Sequence, residues 1–275
     1  MKFLDKLSEN RVLAFIVLVV YYVVVTIPHE ILGRFINRQF DVVSKETYNM
    51  IILVAVVVMM GVGLLIAMRK LRQHPRRAMW LSYFGVSVAA VFLSMYYLFI
   101  INIEVIHFVQ YCAFAILCYA LTRNYYSILT WALLAGALDE LHQYLILNPT
   151  GTNYFDFNDV VINTIGGILG IMILNLFGHQ SERKPLRERW TSPLFITIYA
   201  LIVIWIIAFA TGWASYRPTG ESTFIVYREM PTEFWSWVGK KIVYHVMMPW
   251  EYLLVTAALY IGYQPLLKGV VGRSA

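Results

Sequence analysis

The sequence contains few charged residues. Asp, Glu, Lys and Arg make up only 14% of its 275 residues, whereas about 25% is usual in a soluble domain. Hydrophobic residues make up 60%, and the mean hydropathy is +0.64. So little charge, placed between long apolar runs, excludes an ordinary soluble protein.

Cysteine is almost absent, and the two that occur do not suit a disulfide. Cys112 and Cys118 lie six residues apart in one apolar run, which puts them on different helix faces and too far apart to be bridged. The sequence also lacks an HExxH-type spacing or a comparable metal signature. We therefore expect no disulfide framework, no metal and no cofactor.

Long apolar runs are what the chain has in abundance. Because about 20 apolar residues span a bilayer, they predict one all-α, polytopic membrane domain over residues 1–275 with about eight transmembrane helices. The count falls to six or seven if a re-entrant hairpin lies within Met79–Thr122. The runs are Val12–Gly33, Tyr48–Met68, Met79–Asn102, Val105–Thr122, Tyr125–Leu147, Val160–Gly178, Ser192–Trp213 and about Ile242–Leu267.

The last run has two alternative starts. It can begin near Ile242, or at Pro249, because proline is tolerated in the first turn of a helix. Before it, Pro231–Glu233 resembles a helix start, and the tryptophans and lysines that follow favour a helix lying in the membrane interface. The longest segment outside the runs is about Ala214–Lys241.

The basic residues set the orientation. With both termini on the same side as the loop after the second run, 15 of the 22 lysines and arginines lie on that side. Cytoplasmic loops are enriched in Lys and Arg, so we expect both termini in the cytoplasm and a multi-pass protein of the plasma (inner) membrane. The net charge of +6 is spread over such loops, which argues against nucleic acid as a partner.

Acids, histidines and amides gather at the outer ends of three consecutive runs. A charged side chain at the bilayer centre costs about 2.5–3.5 kcal/mol, so we expect these side chains to face a protein interior or a polar pocket. The set comprises Glu104, His107 and Tyr111 at the start of the fourth run, Asp139, Glu140, His142 and Gln143 in the fifth, and Asp159 and Asn163 at the start of the sixth.

Within this set, three residues have side chains suited to proton transfer. Glu140 or Asp159 is a candidate general acid or base, with His107 as its partner. Simpler interpretations stay open, since Asp156 and Asp159 can cap a helix and Glu104 and His142 can face water or headgroups. Gly166 and Gly170 are four residues apart and predict close packing of a neighbouring helix.

These residues resemble the VanZ-like family of bacterial integral membrane proteins. Three motifs occur in the family's order: Ile106-His107-Phe108 with Tyr111, Asp139-Glu140-Leu-His142-Gln143, and Asp159 with Asn163 and the glycines. The resemblance covers about 102–177, leaving flanking helices at 12–100 and 192–267. The prototype of the family is associated with resistance to the glycopeptide teicoplanin, so the resemblance implies a role in the cell envelope.

Three functions follow from these observations. The first is an envelope protein whose outward-facing pocket binds or modifies a lipid-linked or cell-wall component, with a membrane lipid or such a component as its partner. The second is a non-enzymatic shielding or partner-binding module that uses the aromatic segment 214–241. The third is a proton-coupled transporter. The sequence leaves open whether the protein is an enzyme and which oligomer it forms.

Overall fold

The computed structural model describes residues 2–26, 28, 44–72, 74, 76–99, 102–147, 155–182, 191–216, 223–226, 236–237, 240–241 and 245–268. Most of these residues are helical. The helices are α1 (Lys2–Glu9), α2 (Arg11–Tyr21), α3 (Lys45–Lys70), α4 (Arg77–Tyr97), α5 (Ile106–Thr122), α6 (Tyr125–His142), α7 (Phe157–Leu176), α8 (Pro193–Ala210), α9 (Pro249–Gly262) and α10 (Gln264–Leu267).

Non-α turns extend three of these helices. A 3₁₀ turn, Asn102–Val105, precedes α5. Single π-helical segments continue α2 over Tyr22–Thr26 and α6 over Gln143–Leu147. Such π segments are rare, and they are frequent at functional sites.

The all-α prediction agrees with the described residues. When candidate spans are judged by helix length and hydropathy, however, there are fewer than the eight expected. Among the described residues, five helices are long and apolar enough to cross a membrane, and a sixth span results if α1 and α2, which meet at a bend of 118°, form one broken span. The helices α6 and α9 are absent from that group. No re-entrant hairpin is needed for the third and fourth runs, because each supplies a full-length helix.

Helix α7 lies at the centre of the bundle and packs against α4, α5, α6 and α9. In its most apolar 18-residue window, 78% of the residues are buried, against 11% for α3 and for α8. The side chains of α3 and α8 are largely apolar and exposed. These two helices therefore present the surface that suits lipid.

Glycines bring α5 and α6 close to α7. A Cβ atom on Gly166 would lie 2.9 Å from the carbonyl oxygen of Phe108, and one on Gly170 would lie 2.5 Å from that of Cys112. On another face, a Cβ on Gly167 would lie 3.0 Å from the Cβ of Ala132. The small side chains of α7 thus permit both neighbouring helices to approach.

The segment before α9 differs from the sequence expectation. Ser236–Trp237 and Lys240–Lys241 form a short antiparallel pair, so the interfacial helix predicted there is wrong for these residues. A second pair, Ala214–Ser215 with Phe224–Ile225, is parallel. Helix α9 begins at Pro249, the later of the two predicted starts.

At the end of the bundle where α5 ends and α6 begins, polar contacts hold the chain after α7. The Tyr119 hydroxyl donates to the Gln180 carbonyl oxygen (3.1 Å), and the Asn124 amide donates to that of Glu182 (2.7 Å). The guanidinium of Arg123 donates to the Ser8 hydroxyl (2.6 Å). Helix α1 and residues 178–182 are thereby fastened to this end.

Candidate functional site

The predicted polar residues come together at the opposite end of the bundle, where α5 and α7 begin and α6 ends. His107 of α5 is 3% exposed. Its Nδ1 lies 3.0 Å from Oδ1 of Asn163, and its Nε2 lies 3.5 Å from Oδ2 of Asp159. Because the amide oxygen can only accept, Nδ1 carries the hydrogen and Nε2 faces the carboxyl group.

Glu140 connects the third helix, α6, to this pair. It is 3% exposed, and its Oε1 accepts a hydrogen bond from the Gln143 amide at 2.9 Å. Its carboxyl group also lies close enough to that of Asp159 to interact with it. Two neighbouring carboxyl groups can share one proton.

The result is a chain of neighbouring polar side chains across three helices, which we call the acid–imidazole chain. It comprises Gln143, Glu140, Asp159, His107 and Asn163. The two carboxyl groups and the imidazole can pass a proton between them without a large movement of any helix. This arrangement has the elements of an acid–base centre.

Two further predicted residues lie against the chain. Asp139 is completely buried and lies close enough to Glu140 and Tyr111 to interact electrostatically with both. Tyr111 is also completely buried, and its hydroxyl has no hydrogen-bond partner among the described residues. A phenol in this position is a donor held next to the carboxyl groups.

The remaining predicted residues lie at the edge of the site. Glu104 is half-buried in the 3₁₀ turn before α5. His142 is half-buried as the last residue of α6, and its Nδ1 makes no hydrogen bond within the described part of the chain. Asp156 caps α7, because its carboxylate accepts a hydrogen bond from the backbone N–H of Asn158 at 2.8 Å.

Gly136 belongs to the site and was missed in the sequence. A Cβ atom there would lie 2.8 Å from the Asn163 amide nitrogen and 2.9 Å from the Asn163 Cβ. Because Gly136 has no side chain, Asn163 has room to lie beside His107. The signal was its position four residues before Glu140, which puts both on one helix face.

Tyr22 is a second residue that sequence reasoning missed. Its hydroxyl donates to the Ala135 carbonyl oxygen at 2.8 Å, and it is electrostatically close to Asp139 and Glu140. It is the first residue of one π-helical segment, and Gln143 is the first residue of the other. No sequence signal marks it, since it lies in an apolar run without a motif.

A second acid–histidine pair lies beside the start of α7. His245 Nε2 is 2.8 Å from Oε2 of Glu251, and the same oxygen accepts from the Met248 amide at 2.8 Å. The Asn158 side chain donates to the His245 carbonyl oxygen (2.7 Å) and accepts from the Met247 amide (2.9 Å). These contacts attach the start of α9 next to Asp159.

The fold and these contacts define a class: helical membrane proteins with a buried acid–imidazole centre at one end of the bundle. The chain belongs to the VanZ-like family, since the family model described as VanZ/LLP1 matches residues 12–178. The match begins well before the motifs at 102–177, and it includes the π-helical segment after α2, which begins at Tyr22. Neither a curated protein nor a solved structure matches the chain.

Proposed function

We propose that this protein is a cell-envelope protein of the plasma membrane whose outward-facing polar pocket binds or modifies a lipid-linked or cell-wall component. The proposal follows the glycopeptide-resistance association of VanZ-like proteins. It includes eight membrane crossings, with α6 and α9 as crossings in addition to the longer helices, and both termini in the cytoplasm. The observation that carries it is the acid–imidazole chain.

The orientation of the pocket is supported by the distribution of charge. Arg69, Lys70, Arg76 and Arg77 lie at or near the ends of α3 and α4 that are farthest from the acid–imidazole chain along the helices. Since basic loops favour the cytoplasmic side, the chain of acids belongs on the outer side. A lipid-linked envelope component would reach it from the outer leaflet.

The chemistry that the pocket supports best is proton transfer. Glu140 and Asp159 share one proton, so one carboxyl group can donate while the other accepts. His107 donates its Nδ1 hydrogen to Asn163, which leaves Nε2 facing Asp159 as an acceptor, so His107 can take up the proton that Asp159 holds and return it. In this proposal Glu140 and Asp159 act as acid and base, and His107 as their partner.

The test removes one ionisable group at a time. Glu140→Gln and Asp159→Asn are expected to abolish the resistance phenotype, measured as teicoplanin susceptibility of cells that express the full chain. Both changes preserve side-chain size, so expression in the membrane is expected to match the wild type. The control is Glu46→Gln, which removes an exposed acid at the start of α3.

The alternative functions give different outcomes in the same experiment. Full function in both pocket variants would contradict the acid–base proposal and favour a shielding module, which should instead depend on aromatic residues of 214–241. A proton-coupled transporter would show substrate flux in liposomes that depends on a pH gradient and is lost in Glu140→Gln.

A further inference from the structure

A groove opens at the end of the bundle opposite the acid–imidazole chain. It has a volume of about 600 Å³ and is lined by residues of α2, α5, α6 and α8. Three of these helices, α2, α6 and α8, begin at this end, and α5 ends there. We call it the basal groove.

The lining of the basal groove changes from polar to apolar with depth. At the helix ends it is formed by Arg11, Thr122, Asn124, Ser127 and Ser192. One to three turns deeper it is formed by Phe15, Leu18, Phe114, Trp131 and Ile198. Arg11 and Leu18 are seven residues apart, or about 10 Å along the helix axis. The groove therefore has a polar mouth and an apolar interior of the kind that an amphipathic molecule fills.

The mouth of the basal groove favours negative charge. Arg11 is exposed at the first position of α2, and Asn124 and Ser192 are the N-caps of α6 and α8. Each helix start adds partial positive charge. None of the residues that line the groove is acidic, so a phosphate is favoured at this position and a cation is not.

We propose that the basal groove binds one phospholipid with an anionic headgroup, taken from the leaflet next to the basic loops. Its phosphate lies at Arg11, and one acyl chain extends between Phe15, Leu18 and Ile198. Basic pockets between transmembrane helices on the cytoplasmic side are known to hold anionic headgroups. This site is separate from the acid–imidazole chain, and the proposal holds whichever reaction occurs there.

The experiment is native mass spectrometry of the detergent-purified full chain, titrated with phosphatidylglycerol or with phosphatidylcholine. The wild type is expected to retain phosphatidylglycerol more tightly than phosphatidylcholine. Arg11→Gln is expected to weaken phosphatidylglycerol binding about fivefold, the effect of one basic residue near an anionic surface, and to leave phosphatidylcholine unchanged. Ile198→Trp fills the interior of the groove and is expected to weaken both lipids.

Each variant has a matched control. Arg69→Gln removes an exposed basic residue from the same end of the bundle, and Ile204→Trp enlarges an exposed residue of α8 outside the groove. Both are expected to bind like the wild type. Equal losses in Arg11→Gln and Arg69→Gln, equal binding of the two lipids by the wild type, or an Ile198→Trp variant that behaves like Ile204→Trp would each overturn the proposal.

Discussion

At the scale of single residues, the site depends on an absent side chain. Asn163 reaches His107 only because Gly136 leaves room for its amide group. A buried asparagine that must shift would no longer hold the imidazole tautomer. Gly136 is thus as much a part of the acid–imidazole chain as the residues that form its hydrogen bonds.

Gly136→Ala is expected to lower both stability and function. Forcing a methyl group into a filled site costs about 1–3 kcal/mol, and it displaces Asn163. The measurement is the melting temperature of the detergent-purified protein, together with teicoplanin susceptibility of cells that express it.

Gly85→Ala is the matched control, because a Cβ atom there meets nothing within 4 Å. It should raise the melting temperature slightly, since alanine favours a helix over glycine by about 1 kcal/mol. If Gly136→Ala behaved like Gly85→Ala, Asn163 would not depend on this glycine.

The sequence could identify the ionisable residues of the site but not its supports. Glu140, Asp159 and His107 stand out because charged groups are rare in apolar runs, and burial forces them to face one another. Gly136 and Tyr22 carry no charge, so their roles follow only from the approach of neighbouring helices. Their contribution depends on distances that a single sequence does not contain.

At the scale of elements, the end of the bundle that holds α1 contains a half-buried histidine. His179 follows α7 and packs its ring edge-on against Tyr119, with 4.9 Å between centroids. Its Nδ1 lies 3.9 Å from Asp5 of α1. Burial lowers the pKa of His179 below its usual value of 6.5, although Asp5 partly opposes this.

A histidine with a lowered pKa makes the fold sensitive to acid. The folded state binds the proton less readily than the unfolded chain, so the contribution of His179 to stability is complete above its unfolded pKa. That contribution is lost as the pH falls below about 6.5. His179→Phe is expected to reduce the fall in melting temperature between about pH 7 and about pH 5.

The phenylalanine keeps the ring contact with Tyr119 and removes the titration, so the pH dependence separates the two effects. Melting curves are recorded for both proteins at each pH. Equal falls in the wild type and in His179→Phe would show that this ring does not couple protonation to folding.

The helices themselves were largely predictable, and the irregular elements were not. Each apolar run contains a helix because hydrocarbon leaves backbone groups no partner except one another. The short strand pair at Ser236–Lys241 replaced a predicted helix, since tryptophans and lysines suit an interface in either conformation. The π-helical segments that begin at Tyr22 and Gln143 have no compositional signal.

At the scale of the whole molecule, the membrane topology is open to direct measurement. If there are eight crossings with both termini inside, green fluorescent protein fused to Ala275 should be fluorescent. Alkaline phosphatase fused after Tyr216 should be active, and the same enzyme fused after Thr122 should be inactive. These outcomes follow from the positions of the basic loops.

Three helices, α6, α7 and α8, lie between Thr122 and Tyr216, so if α7 and α8 both cross the membrane the two phosphatase fusions also decide whether α6 crosses. Active phosphatase after Thr122 would place the end of α5 outside, and it would contradict the orientation on which the outward-facing pocket depends. Inactive phosphatase after Tyr216 would instead mean that fewer helices cross than proposed.

The enclosure of α7 also affects how the protein is made. This helix carries Asn158, Asp159, Asn163 and Asn175, so its insertion into lipid without neighbouring helices would be unfavourable. In chain order α4, α5 and α6 leave the ribosome before α7, and α9 leaves after it. Three of the four helices that pack against α7 can therefore already be in the bilayer when α7 is made, so we expect α7 to enter by docking laterally against them instead of partitioning alone into hydrocarbon.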